Sequence, residues 1–281
     1  MAPRARMDSF GLTDIGRQRE INEDQFLIAD LTKSAAIRQS SMGLEIDPAS
    51  REEQPAGQLL VVADGMGGHA AGEIASALVT KTLVESIVLE KGKSSLLELP
   101  DEELIEQLQA TLQRCQEAIL EESKAVPERR GMGTTLTMAF VVGMKVFVVH
   151  VGDSRCYLYR TGELEQVTTD HTIAQQLVES GKLAPEEARD SHWSHLLVNA
   201  LGGSEDILSP EVQWADLEDG DVLLLCTDGL TQHLTDAEIL KVLDGEKSIE
   251  KACQQLVRAA NDGGGTDNIT AVVARFELVA S

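Results

Sequence analysis

The sequence predicts an α+β fold in which antiparallel sheets carry pairs of helices on their outer faces. Hydrophobic residues make up 42% of the 281-residue chain, which is a globular composition. A chain of this length can bury a large core without disulfides, as one large domain or two small ones. Strand-like runs come in groups instead of alternating with single helices, which argues against a doubly wound parallel sheet.

The first half begins with strand-like runs and continues with two helices. Strands are predicted at 25–29 and 58–63, with a polar, proline-containing hairpin loop at 33–57 between them. One helix follows Gly72, and a second begins near Asp101, where acidic residues suit the positive end of the helix dipole. The second helix has an apolar stripe with a period of 3.6: Leu104, Leu108, Leu112, Cys115 and Ile119.

The second half returns to strands. They are predicted at 134–142, 145–151, 156–159, 164–167, 222–226 and 269–276. A polar, helix-prone segment covers 171–190, where Gly181 can end one short helix and Pro185 can open the next. Thr235 begins a capping-box sequence, and a further helix runs from Ser248 to the glycines at 263–265.

The charge of the chain excludes some classes of partner. There are 47 Asp+Glu against 24 Lys+Arg, a formal net charge of −23. Such a chain lacks the basic face that nucleic acids and anionic membranes require. The acid excess has two open interpretations: a solvated, self-repelling surface, or carboxylates gathered around a divalent metal.

The sequence also indicates the cellular location of the protein. The N-terminus has no apolar segment of a secretory signal, and the longest apolar stretch, 136–151, is too interrupted to span a membrane. None of the four cysteines forms a Cys-x-x-Cys pair, so we expect buried, reduced thiols in a cytoplasmic protein.

Four aspartates stand at the ends of predicted strands: Asp64, Asp153, Asp228 and Asp267. Taken singly, an Asp-Gly pair indicates a turn. The strand ends of stacked sheets lie close together, however, so these four side chains can converge. Carboxylates held close together repel each other unless a cation binds between them. Mg²⁺ and Mn²⁺ prefer such oxygen ligands, and a glycine beside the aspartate lets a backbone carbonyl approach the ion. The pattern therefore favours a metal site.

Six motifs resemble a known family. They are 19–24 (REINED), 64–69 (DGMGGH), 131–135 (GMGTT), 152–155 (GDSR), 227–230 (TDGL) and 265–270 (GTDNIT). Their order over nearly the whole chain is similar to that of bacterial metal-dependent serine/threonine protein phosphatases of the PPM type, the PP2C-like family. The resemblance implies a four-layer α-β-β-α sandwich with a small helical flap. The domain boundaries that we expect are a tail at 1–7 and a single domain at 8–278, with the flap at 171–203.

The resemblance also implies site residues. Asp64 would bridge two central Mn²⁺ or Mg²⁺ ions, the Gly65 carbonyl would bind one of them, and Asp228 and Asp267 would complete the first ion's ligands. Glu23 and Asp24 match an acidic pair beside the second ion. Asp153 would share a third ion with Asp228, an ion whose presence is left open. Arg19 would bind the substrate phosphate.

The implied reaction is attack on phosphorus by a hydroxide held between two metal ions, because the ions lower the pKa of water. The general acid is open: His69 suits the role through its ordinary pKa, but it fits equally well as a helix cap, and a metal-bound water is a third candidate. In the flap, Asn199 stands where many bacterial relatives have an arginine. Outside the site, we expect His150 to be a satisfied strand residue and Arg155 to form a structural salt bridge.

The resemblance implies phosphorylated proteins as substrates and partners, in particular a bacterial Ser/Thr kinase and its targets, and we expect a monomer. Two alternatives stay open: a metal-dependent phosphatase of small phosphoesters, and a non-catalytic phosphatase-like binding module. The presence of Asp64, Asp228, Asp267 and Arg19 argues against the binding module.

Overall fold

The structure, a computed structural model, describes residues 4–31, 36–43, 55–67, 71–89, 93–189, 191–202 and 209–279. Its strands are β1 (Arg4–Asp14), β2 (Asp24–Leu31), β3 (Ala36–Ser40), β4 (Gly57–Met66), β5 (Gly133–Thr134), β6 (Leu136–Val142), β7 (Lys145–Val151), β8 (Arg155–Arg160), β9 (Glu163–Gln166), β10 (Leu201–Gly202), β11 (Glu211–Asp216), β12 (Val222–Cys226) and β13 (Ile269–Val279). Its helices are α1 (Ala71–Leu83), α2 (Asp101–Ala125), α3 (Ile173–Glu179), α4 (Pro185–Ala188), α5 (Asp228–Thr231), α6 (Asp236–Gly245) and α7 (Ile249–Asp262). A π-helical turn, Val84–Leu89, continues α1, and 3₁₀ turns occupy Lys93–Glu98 and Pro127–Arg129.

The strands form two antiparallel sheets. One has the order β1-β13-β12-β8-β9, and the other has the order β10-β5-β4-β6-β7-β11, with β2 paired to β4 and β3 paired to β2. The pairings are antiparallel, which confirms the predicted sheet type.

Three apolar layers hold the sheets and helices together. On β4, Leu59 and Val61 pack toward α1 and α2, whereas Leu60 and Val62 face the other sheet. This alternation is the period-2 pattern of a strand buried on both faces. On β12, Leu224 lies in a third layer with α6 and α7. Since each layer fills one interface, the α-β-β-α sandwich is confirmed.

The helices begin and end where the sequence signals them. Helix α2 carries acidic residues in its first turn and ends before Pro127, because a residue that precedes proline favours extended backbone. The Thr235 side chain accepts a hydrogen bond from the Glu238 amide at the start of α6, and the Glu238 side chain completes the capping box. Ser248 caps α7 in the same way through the Lys251 amide.

Three strand features differ from the prediction. Residues 4–7, expected in an N-terminal tail, begin β1, whose pairing with β13 starts at Arg4 opposite Val279. The described part of the 33–57 loop contains β3, while residues 44–54 lie outside the described residues. Strand β11 was not predicted. All three lie at sheet edges, and their segments carry few large apolar residues that would mark a strand in the sequence.

The flap is attached to the sheet that contains β4. It contains α3 and α4, and it leads into β10, which pairs with β5. Strand β5 in turn pairs with Gly65 and Met66 at the end of β4. The flap thus lies next to the end of β4, where Asp64 stands. No helix in the described part of the chain is both long enough and apolar enough to cross a membrane.

Candidate active site

The predicted site residues converge on one cavity of about 750 Å³ at the rim of the two sheets. Those that line it are Arg19, Glu23, Asp64, Gly65, Asp153, Asp228 and Asp267. They come from the end of β4, the β7–β8 turn, the start of α5, the second residue before β13 and the loop between β1 and β2. Segments far apart in the chain thus supply one acidic cavity.

Asp64 has a rigid backbone. Its amide donates to Thr135 Oγ1 at 3.0 Å, and its carbonyl accepts from the Thr135 amide at 2.9 Å and from Thr134 Oγ1 at 2.8 Å. Burial raises the pKa of its carboxyl well above the ordinary value, and the charges of Asp24 and Asp228 raise it further. The fold therefore fixes a carboxylate in the cavity that forms no ion pair within the described part of the chain.

Gly65 is held where no side chain fits. A Cβ at this position would lie 2.1 Å from the Gly72 carbonyl oxygen, so β4 and the start of α1 approach each other only through glycine. The close approach leaves the backbone of Gly65 lining the cavity. That placement agrees with the predicted use of its carbonyl as a ligand.

Asp228 supplies a buried oxygen without a hydrogen bond. Its Oδ2 accepts from Gln232 Nε2 at 2.6 Å, one turn further along the chain. Its Oδ1 is buried and has no partner among the described residues. Burial, and then the charge of Asp267, raise the pKa of this carboxyl. A buried acceptor left unpaired is costly, and a bound cation would satisfy it.

Asp24 lies behind the cavity and is not one of the described residues that line the cavity. It stands opposite Asp64 in the β2–β4 register. Its Oδ2 accepts from the hydroxyls of Thr227 at 2.8 Å and Thr270 at 2.7 Å, whereas its Oδ1 is buried without a partner in the described structure. Burial raises the pKa of Asp24 to about 7. The two threonines were not singled out from the sequence, although both lie within the quoted motifs. Thr227 directly precedes Asp228, and Thr270 lies three residues after Asp267.

Asp153 follows a glycine turn. Gly152 has a φ of 113°, and a Cβ there would lie 2.6 Å from the Thr135 side chain. Burial raises the pKa of Asp153 well above the ordinary value, with a further contribution from the charge of Asp228. The next residue, Ser154, shares a 2.7 Å hydrogen bond with Thr135. Thr135 therefore braces the strand ends that carry Asp64 and Asp153.

Arg19 is the cation of the cavity that the sequence predicted. Its Nη2 donates to Asp267 Oδ2 at 2.7 Å, and its side chain is 49% exposed. Burial raises the pKa of Glu23, and the Arg19 charge opposes that rise. Asn268 fixes this region, because its Oδ1 accepts from the Glu23 amide at 2.8 Å and its Nδ2 donates to the Ile21 carbonyl at 3.0 Å. Sequence reasoning gave Asn268 no role of its own.

Three other predicted residues have separate outcomes. His69, the candidate general acid, lies outside the described residues. Arg155 forms the expected structural salt bridge, with Nη2 2.7 Å from Asp170 Oδ2. His150 is fully buried and hydrogen-bonded, as predicted for a satisfied strand residue.

The donor set fits divalent metal ions. Five carboxylates line the cavity, and Arg19 pairs directly with one of them. The buried carboxyls have raised pKa values, and no described residue donates to Asp228 Oδ1. Oxygen ligands of this kind suit Mg²⁺ or Mn²⁺, whose charge would offset the repulsion.

Comparisons with known proteins identify the family. The protein phosphatase 2C family matches residues 46–272. Serine/threonine protein phosphatase PstP of Mycobacterium tuberculosis is 41% identical over 217 residues, which is 77% of this chain and 40% of PstP. The chain thus spans about two fifths of the length of that relative. Serine/threonine phosphatase stp of Listeria monocytogenes is 31% identical over 95% of this chain and 94% of its own length.

A solved structure agrees with these relatives. The catalytic domain of PstP, in a crystal structure with two manganese ions, superposes with a TM-score of 0.75 at 34% identity, covering 97% of this chain and 99% of that one. The predicted family and fold are therefore confirmed, and so is the dependence of the family on divalent metal. The chain belongs to the protein phosphatase 2C family, and its fold is similar to that of the PstP catalytic domain.

Proposed function

We propose that this chain hydrolyses phosphoserine and phosphothreonine in proteins, using divalent metal ions held by the carboxylates of the cavity. One observation carries the proposal. Asp228 Oδ1 is buried without a partner among the described residues, in a cavity that four further carboxylates line. Such an arrangement costs stability until a cation binds, so it supports a metal site in this cavity.

The ligand assignment is the one that the family resemblance implies, and the lining of the cavity supports it. Asp64, the Gly65 carbonyl, Asp228 and Asp267 would hold two central ions, with Glu23 beside the second. Asp153 would share a third ion with Asp228. We place Asp24 behind these ligands, since it abuts Asp64 without lining the cavity. Mn²⁺ and Mg²⁺ both suit this oxygen donor set. When bound, such ions act as Lewis acids and lower the pKa of water at the site.

Arg19 would bind the phosphate of the substrate. A guanidinium has five N–H donors in a planar fork, and the contact of Arg19 with Asp267 uses one nitrogen. Since the side chain is half exposed at the cavity, its remaining donors can meet phosphate oxygens. Asp267 would then hold Arg19 in place as well as contribute to a metal site. His69 stays a candidate for protonating the leaving oxygen.

The biological setting is also a proposal. The relatives are named as serine/threonine phosphatases, so we infer that this chain reverses the action of a bacterial Ser/Thr kinase. The net charge of −23 favours phosphosites flanked by basic residues. We further propose that the protein is a cytoplasmic monomer.

A substrate comparison tests the proposal. Purified protein would be assayed with a phosphothreonine peptide and with a nucleoside monophosphate, in Mn²⁺ or in EDTA. We expect peptide hydrolysis that needs Mn²⁺, exceeds nucleotide hydrolysis and rises when basic residues flank the phosphothreonine. The Asp64→Asn variant should be inactive, whereas Asp216→Asn, an exposed aspartate on β11, should behave as wild type.

Other results would contradict the proposal. Faster hydrolysis of the nucleotide would favour the small-phosphoester alternative. A folded protein that binds Mn²⁺ and hydrolyses neither substrate would favour the binding module.

A further inference from the structure

The two ends of the flap meet at one histidine. The His171 amide donates to the Gly152 carbonyl at 2.7 Å, and the Val198 amide donates to the His171 carbonyl at 2.9 Å. An isolated bridge between Thr172 and Leu197 continues this pairing. The backbone of His171 thus joins the start of the flap, its end and the turn that precedes Asp153.

The imidazole of His171 joins the same turn to the end of the flap. The Gly152 amide donates to Nδ1 at 3.2 Å, and Asn199 Nδ2 lies 3.1 Å from the same nitrogen. Asn199 Nδ2 also donates to the Ser209 carbonyl at 2.7 Å. The amide group of Asn199 is committed to these contacts although the residue borders the cavity.

The geometry requires a neutral ring. Because Nδ1 accepts from a backbone amide, the proton of neutral His171 resides on Nε2. Burial lowers the pKa of His171, while the charges of Glu211, Asp170 and Glu179 act in the opposite direction. His150 packs against the ring, with the centroids 4.8 Å apart.

The surrounding groups form a support and not an open metal site. His150, His171 and Glu211 place ligand atoms within 4.8 Å of one another. Both nitrogens of His150 are already engaged, by the Thr137 hydroxyl at 2.9 Å and the Thr169 carbonyl at 3.1 Å. The Glu211 carboxylate accepts from the Thr169 amide at 2.9 Å. These bonds fix the surroundings of His171.

We propose that His171 is a positioning residue, whose Nδ1 acceptor fastens both ends of the flap to the Gly152 turn and thereby sets the flap wall of the substrate groove. Val198 and Asn199 directly follow Leu197 on that wall, and all three line the cavity. Without the acceptor, of the described hydrogen bonds only the backbone bond from the His171 amide would hold the flap to the Gly152 turn, so the flap would open more readily while the sheets stay intact. The inference rests on the proposed function for its effect on substrate, but the attachment itself is a property of the fold.

The test compares two substitutions of nearly equal shape. In His171→Asn, Oδ1 occupies the place of Nδ1 and still accepts hydrogen bonds, whereas His171→Leu puts a methyl group there. The control is His192→Asn, which changes another flap histidine that stacks on Trp193. Amide hydrogen exchange would be measured at 171–174 and 196–199 in EDTA, with the global melting temperature recorded for each variant.

The exchange result decides the inference. We expect exchange of these amides to accelerate about tenfold or more in His171→Leu, because the local opening loses two hydrogen bonds. His171→Asn and the control should exchange at the wild-type rate. Equal acceleration in the Asn and Leu variants, or no acceleration in either, would overturn the role of the Nδ1 acceptor.

Kinetics then report the effect on substrate. In Mn²⁺, His171→Leu should raise KM for a phosphothreonine peptide about tenfold and change kcat/KM for p-nitrophenyl phosphate by less than about twofold. His171→Asn should restore the wild-type KM. An equal loss on both substrates would contradict the positioning of the groove. Failure of wild type to hydrolyse either substrate would reject the proposed function and leave the exchange result standing.

Discussion

The substitution Asp24→Asn should stabilise the metal-free protein at alkaline pH. Asp24 is buried behind the cavity, with Oδ2 hydrogen-bonded to two threonines and Oδ1 without a partner in the described structure. Its pKa is raised from 3.8 to about 7, so the folded protein holds this proton more tightly than the unfolded chain does. Between these values, the metal-free fold therefore loses stability as the pH rises.

The structure sets the size of the effect. A rise from 3.8 to about 7 corresponds to about 4 kcal/mol of destabilisation at pH 8, because each pKa unit is worth about 1.36 kcal/mol. An asparagine removes the charge and still accepts from both threonines. Its amide nitrogen, however, takes the unpaired position of Oδ1, which costs about 1–3 kcal/mol. We expect a net gain of about 1–3 kcal/mol, or roughly 2–4 °C in melting temperature for each kcal/mol.

Thermal unfolding in EDTA at pH 8 and pH 5 measures this gain. At pH 5 the folded wild type holds the Asp24 proton, so the advantage of the variant should disappear. Asp216→Asn, which changes an exposed aspartate, should leave the melting temperature unchanged at both values. A variant that is no more stable than wild type at pH 8, or equally stabilised at pH 5, would refute the reasoning.

Three further outcomes follow from the same structure. Arg19→Lys should raise KM for a phosphothreonine peptide about tenfold, because lysine lacks the planar fork; an unchanged KM would remove Arg19 from phosphate binding. Leu112→Ala should destabilise the fold by about 2–5 kcal/mol in urea unfolding, since the side chain is fully buried between α2 and the sheet, and KM should stay at the wild-type value. Burial raises the pKa of Cys115 to about 12, so a thiol reagent should label it in urea but not in buffer at pH 8, and rapid labelling of the folded protein would contradict that burial.

Much of the fold was predictable because most of its strands and helices are amphipathic or buried on both faces. The boundaries of β7 and β12 agree with the predicted 145–151 and 222–226, since largely apolar runs end at turn residues there. The edge strand β11 was missed because Trp214 and its neighbours are exposed, so no alternation marks the strand. Its pairing with β7 depends on contacts distant in sequence.

For the site, sequence alone predicted the acids but not their supports. Asp64, Asp228 and Asp267 are marked by glycine or asparagine neighbours at strand ends. The roles of Thr135 and Asn268 depend on which strand ends meet, which only the folded chain defines. The same holds for Asp24, whose position behind the cavity depends on its register opposite Asp64. Local pattern identifies the residue types, and tertiary contacts assign the supporting roles.

The most direct test of the metal site is Mn²⁺ titration calorimetry on wild type and on Asp228→Asn, paired with phosphothreonine-peptide hydrolysis. The variant keeps a carbonyl oxygen but loses the charge that the cavity presents to the ion. We predict that wild type binds Mn²⁺ and is active, and that the variant binds it more than about tenfold more weakly, since even an outer partner of a ligand is worth that much. Hydrolysis by the variant should fall in parallel. Wild-type Mn²⁺ affinity together with wild-type hydrolysis in Asp228→Asn would contradict the proposed metal site.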